Sequence, residues 1–197
     1  MLELRNVANV LSGVAVRETA QGAARFVRLS DLSELKAGRR PALACGEAPA
    51  VARALTIEEG DVLVGARGAA TDVCLANSAI FGAFVSLDLY LVRPNKTRVN
   101  SQFLATFLEL PSTQTLLASG KQGSDLARLP KDALEKTKVP LPSLHTQSLI
   151  AGLALAVETE SKLLRNLTDL KASLGREAVA GAIRAASAHG SSPRSHA

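Results

Sequence analysis

The chain has 197 residues, of which 47% are hydrophobic and 3% aromatic, and it carries a formal net charge of +5. That length holds one ordinary domain plus an appendage, and that apolar content is enough for a packed core. No apolar run reaches the roughly 18 to 20 residues of a membrane span, and the N-terminus lacks the apolar stretch of a signal peptide, so the expected compartment is the cytoplasm.

The first hundred residues read as β-rich. Residues 24–29 and 61–67 are expected strands, the second ended by Gly68 and small residues. Residues 85–92 give the clearest alternation: Val85, Leu87, Leu89 and Leu91 share one face and Ser86, Asp88 and Tyr90 the other, as in a half-buried strand. The run Arg93, Pro94, Asn95, Lys96 then ends it with turn chemistry. A helix is expected from Ser101, with Asn100 as N-cap and Phe103, Leu104, Phe107 and Leu108 on one face. Pro111 stops or restarts it, and residues 113–117 add a further turn or two before Gly120. Residues 119–129 form a polar loop, and residues 130–134 one more short helical turn.

Val139, Pro140, Leu141, Pro142, Ser143 and Leu144 follow. Two prolines cannot both sit inside a helix, so this segment is an extended lead-in. Beyond it Leu149, Leu153, Ala156, Glu160, Leu163, Leu167, Leu170 and Leu174 recur in alternating steps of four and three, the spacing of one coiled-coil seam. A helix over residues 146–174 is predicted, with a seam that needs a partner. Glu160 either fixes the register of that pairing or reaches past it to solvent. Residues 177–186 are able to prolong the helix, and residues 189–197 read as disordered.

Chemical motifs are sparse. Cys45 and Cys74 lie far apart with no histidine nearby, which indicates buried thiols rather than a zinc site or a disulfide framework. The three histidines, His145, His189 and His196, form no triad or metal cluster. Of two Glu-x-Lys triplets that would suggest a metal-dependent nuclease, the one at Glu160 to Lys162 lies in the heptad, and the one at Glu34 to Lys36 lacks a well-spaced upstream aspartate on a clear strand. Neither a phosphate-binding loop nor a glycine-rich nucleotide fingerprint occurs. No catalytic residue, metal or cofactor is assigned.

The order of these segments resembles the specificity subunit of type I restriction-modification systems, as one target recognition domain followed by its spacer helix. Leu4 to Ala8 with Gly13 is similar to the family's opening turn, and Val27 to Leu32 to the strand after it. Glu59, Gly60, Asp61, Val62, Leu63 and Val64, with Gly68, resemble its "G-D-hydrophobic-L" strand. Residues 100–110 resemble its helix, and Gly123 and Ser124 with Leu126, Leu129 and Leu134 resemble the approach to the proline motif. Val139 to Leu144, with Gln147 and Ile150, is similar to I-P-L-P-P-L-x-x-Q-x-x-I. His145 and Thr146 depart from the acidic residues common there.

The resemblance implies an α+β chain: a β-rich target recognition domain over residues 1–142, a long coiled-coil-type dimerisation helix over 143–186, and a tail over 187–197. The family's usual subunit has two such domains and two helices, so this chain looks like a half-subunit. The implied function is reading a bipartite site on double-stranded DNA as a homodimer, while docking a DNA methyltransferase subunit and a restriction or translocase subunit. The competing reading is a non-catalytic interaction module that recruits a partner through its helix without reading DNA.

DNA reading needs cations for phosphates and polar side chains for base edges. Lys121, Gln122, Ser124 and Arg128 beside glycines form the first candidate loop, which is otherwise an ordinary solvated loop. Arg67, Thr71 and Asn77 form a second, and Arg39 and Arg40 a third. Arg93, Lys96 and Arg98 serve phosphates at most, or simply a turn. Leu149, Leu153, Glu160, Leu163, Leu167, Leu170 and Leu174 are the candidate dimerisation residues.

Overall fold

The structure is a computed structural model that describes residues 1–19, 21–50, 54–68, 70–122 and 127–189, with side chains through Ala186. The chain divides into two compact units, Met1–Ala151 and Gly152–Ala197.

The first unit is built on a four-stranded antiparallel sheet. Its strands are β2 (Ala8–Ser12), β8 (Leu89–Pro94), β5 (Val62–Gly65) and β6 (Val73–Leu75), in the order β2-β8-β5-β6. A second sheet has the order β4-β3-β7, from β3 (Ala24–Val27), β4 (Ala44–Gly46) and β7 (Phe84–Val85), with β3 and β7 parallel. The short strand β1 (Leu2–Glu3) pairs with β9 (Lys138–Val139), bringing the two ends of the unit together. Helix α1 (Leu32–Lys36) follows β3, and α2 (Ser101–Glu109), α3 (Pro111–Ser119) and α4 (Lys131–Glu135) follow β8.

Alternation sorts the central sheet between two cores. Tyr90 and Val92 of β8, with Val62 and Val64 of β5, pack with Phe103, Leu104 and Leu108 of α2. Leu89, Leu91 and Leu63 point the other way, onto Val27, Leu32, Leu35, Ile57 and Ile80. The central strands are therefore buried on both faces, as their near-continuous apolar sequence requires.

This corrects the expectation of one half-buried strand over residues 85–92. The segment is cut by a turn in which the Leu89 amide donates to the Ser86 carbonyl at 2.9 Å. β7 then belongs to one sheet and β8 to the other. Leu87, expected in the core, is 48% exposed at the tip of that turn. The strand expected over residues 24–29 also ends early, at Val27. Asp31 accepts the Arg28 amide at 2.8 Å and starts a short helical stretch that buries Leu32 and Leu35. Of the two thiols, Cys74 is buried, but Cys45 on β4 is exposed.

The helical expectations match more closely. Asn100 caps α2 by accepting the Phe103 amide at 2.9 Å, and Pro111 restarts the chain as the first residue of α3, where its missing N–H costs nothing. The "G-D" segment is a turn with a buried anchor. Gly60 has φ +89°, a conformation open chiefly to glycine. The Asp61 carboxylate takes the Glu58 amide at 2.7 Å and the Arg93 guanidinium at 2.9 and 2.8 Å. Arg93, offered above to a phosphate, is held by Asp61, which keeps its guanidinium above the ordinary range against the opposing effect of burial.

Helix α5 runs over Leu144–His189. Its first two turns belong to the first unit, which extends past Pro142 to Ala151. Gln147 is 1% exposed; its carbonyl accepts the Asn100 amide at 2.8 Å, and its NH2 donates to the Arg98 and Pro142 carbonyls at 3.2 and 2.9 Å. The glutamine of the proline motif thus satisfies backbone groups at the start of α2 and of α5. In the second unit the same helix exposes its apolar residues. The expected tail lies, from residue 190 onward, outside the described residues.

Candidate nucleic-acid interface

Two of the three basic segments singled out from the sequence meet. β5 delivers Ala66, whose amide donates to the Asp88 carbonyl and whose carbonyl accepts the Leu129 amide, both at 2.8 Å. Arg67 is thereby bridged to Arg128. Arg128 and Gln122 exchange two backbone hydrogen bonds at 2.9 Å, as an isolated antiparallel bridge. The Lys121 ammonium donates to the Gly68 carbonyl at 2.7 Å. Residues 66–68, 86–89, 121–122 and 127–129 therefore share one patch. Ser124 lies outside the described residues.

The patch rests on Tyr90. Its hydroxyl donates to the Leu129 carbonyl at 2.7 Å, and its ring lies 5.8 Å from the Arg128 guanidinium carbon. Arg128 also donates to the Leu87 carbonyl at 3.1 Å. Carbonyls and a ring face orient a cation without cancelling its charge, leaving it able to meet an anion. Arg67 differs, because Asp88 sits 2.7 Å from its Nε and already supplies a counter-charge. Burial pushes the Lys121 ammonium below the ordinary lysine range, opposed by Asp72.

Thr71 is buried, so it serves the patch through its backbone. Gln114 of α3 clamps it: the side-chain oxygen accepts the Thr71 amide at 3.1 Å, and the NH2 donates to the carbonyls of Thr71 and Leu108 at 2.9 and 2.8 Å. Gln114, Tyr90 and Asp88 were not singled out from the sequence. Tyr90 is the chain's single tyrosine on its clearest alternating segment, a usable signal, whereas Gln114 has none.

The other candidates sit apart from these contacts. Asn77 accepts the Ala79 amide at 3.0 Å and lines a cavity of about 770 Å³ with Glu59, Lys96, Ser101 and Ser148. Arg39 is bound to Glu34 at 2.6 and 2.7 Å, which holds that carboxyl below its ordinary range, while Arg40 is exposed. Lys36, the other end of the first Glu-x-Lys triplet, pairs with Glu109 at 2.9 Å. No group of three His, Cys, Asp or Glu able to hold a metal occurs among the described residues.

On the helix, Leu149, Leu153, Leu163, Leu167, Leu170 and Leu174 are all exposed, Leu153 by 67%. Glu160 lines the same shallow groove as Ala156, Leu163 and Leu167. No helix among the described residues is long and apolar enough to cross a membrane.

Comparison with known proteins adds to this geometry. A family model described as the type I restriction modification DNA specificity domain matches residues 24–153. No curated protein sequence matches the chain. The S subunit of a type I restriction-modification system from M. genitalium is similar in fold, with a TM-score of 0.57 at 13% identity, over 89% of this chain and 43% of that one. The HsdS subunit from Thermoanaerobacter tengcongensis gives 0.61 at 19% identity, over 84% and 38%. A chain from a study of complex assembly and conformational transition of the type I R-M system gives 0.64 at 19%, over 89% and 42%. The chain spans about two fifths of the length of these three.

Proposed function

The chain belongs to the type I restriction modification DNA specificity family, and from that premise we propose that it is a non-catalytic subunit that reads a half-site on double-stranded DNA through the patch around Arg67, Lys121, Gln122 and Arg128. The observation that carries this reading is the convergence of two basic segments on one patch, in which Arg128 is oriented by a carbonyl and a ring face. Such a cation suits a phosphate contact, and Gln122, exposed beside Arg128, suits a paired contact to a base edge.

Two copies, joined through Leu149, Leu153, Glu160, Leu163, Leu167, Leu170 and Leu174, present two heads and read a bipartite, inverted site. The assembly docks a DNA methyltransferase subunit and a translocating nuclease subunit in the cytoplasm. Selection from a randomised duplex library, with the full chain and its methyltransferase subunit, tests this. One motif of two inverted halves is expected; absence of any enriched motif sinks the reading.

A second reading draws on the cations already neutralised, Arg67 by Asp88 and Arg39 by Glu34. There the chain is an interaction module that recruits a partner through α5 without reading DNA. Charge reversal at Lys121 and Arg128 that leaves function intact favours that module.

A further inference from the structure

Leu87 is out of pattern twice. Alternation along residues 85–92 assigns it to the core, yet it stands 48% exposed, between Ser86 and Asp88, at the edge of the basic patch. Its turn is fixed from every side. The Ser86 amide donates to the Val27 carbonyl and the Leu89 amide to the Ser86 carbonyl, both at 2.9 Å. The Asp88 carbonyl receives the Ala66 amide at 2.8 Å, and its carboxylate holds Arg67. The Leu87 carbonyl itself takes Arg128 at 3.1 Å. Gly13 packs so closely beneath that a Cβ there would meet the Ser86 oxygen at 1.9 Å. The backbone that carries this leucine is thus held on both sides, next to Arg67 and Arg128.

We propose that Leu87 is a specificity-determining residue that contacts the 5-methyl group of a thymine in each half-site. The proposal rests on the reading of the patch as a DNA-contacting surface. A solvent-exposed leucine gains nothing from water or phosphate, and the apolar group that a base edge offers in the major groove is the thymine methyl. A fixed backbone matters because it sets which base edge the side chain can reach and reduces the cost of ordering it there.

The test is a thymine-to-uracil scan across the selected duplex, titrated with the full chain and its methyltransferase subunit. For the native protein, uracil in place of that thymine in one half-site weakens binding about fourfold, the factor that burial of a single methyl group provides. Leu87→Ala binds the thymine duplex correspondingly less well and no longer distinguishes uracil there, whereas Leu87→Met keeps the distinction. A 5-methylcytosine duplex separates recognition of the methyl group from recognition of the whole base: restored affinity over cytosine marks the methyl. Selective binding with no uracil-sensitive position, or equal sensitivity in Leu87→Ala, overturns the proposal while leaving DNA reading intact. Leu87→Ala that loses methyltransferase capture instead overturns it in favour of a protein contact. Failure of the underlying reading shows separately, as no enriched motif, and removes this inference with it.

Discussion

The two units of the chain handle apolar residues in opposite ways. Met1–Ala151 buries them on both sides of a sheet and satisfies its awkward backbone groups with side chains such as Gln147, Asn100 and Asp61. The described helix beyond Ala151 exposes Leu153, Leu163, Leu167, Leu170 and Leu174, and further along Val179 and Ile183. The first unit carries its own stabilisation. The second is a helix whose apolar side chains stay exposed, so one chain combines a self-contained domain with a part that its own residues leave incomplete.

The largest effect should come from breaking the incomplete part. Leu163→Asp with Leu167→Asp removes four leucines from a symmetric pair, each worth roughly 1.5 to 3 kcal/mol when buried. Self-association should weaken at least about a thousandfold by sedimentation or light scattering. Melting of the first unit should stay unchanged, because both residues lie outside its core. A native chain that remains monomeric at high concentration removes the pairing model. Glu160→Leu then separates the two readings of that carboxylate: if Glu160 fixes register, the variant associates more tightly but into mixed species.

Smaller effects test the self-contained part. Asp61→Ala strips Arg93 of a bidentate partner and the Glu58 amide of its acceptor, and should cost about 3 kcal/mol in urea unfolding. Part of that penalty is relieved because the Arg93 side chain is 25% exposed. Gln147→Leu leaves the Asn100 amide and two carbonyls unpaired, and should cost about 2 kcal/mol. If Gln147→Leu is neutral, the glutamine is not what holds the start of α5 to the first unit.

These contrasts also show what was legible in advance. Capping at Asn100, the restart at Pro111 and the long amphipathic helix were readable because each rests on neighbours within a few residues. The fate of residues 85–92 was not, since Val85 and Leu89 enter the same core on either side of the turn and the period-two pattern runs on through it. Leu87 and Leu89 therefore looked alike in the pattern, although one tips a turn and the other is buried. At the candidate patch, Lys121, Gln122 and Arg128 were readable as a basic loop. Their meeting with Arg67 was not, because it depends on backbone bonds between residues 66 and 129, far apart in sequence. Gln114 was invisible for the same reason: its value lies in a partner 43 positions away.

The smallest predicted effect separates the charge of the patch from its shape. Lys121 and Gln114 hold the same segment, one through the Gly68 carbonyl and the other through Thr71. Lys121→Ala removes a cation as well as a tether. It should weaken binding to all duplexes alike and lower the slope of log affinity against log salt by about one. Gln114→Ala removes only the tether and leaves every cation in place. Its salt slope should be unchanged, while discrimination between the selected duplex and single-base variants narrows by a few fold as Arg67 and its neighbours lose their fixed position. Identical behaviour of the two variants would mean that this segment contributes through fold stability alone, and the patch would lose its claim to contact DNA.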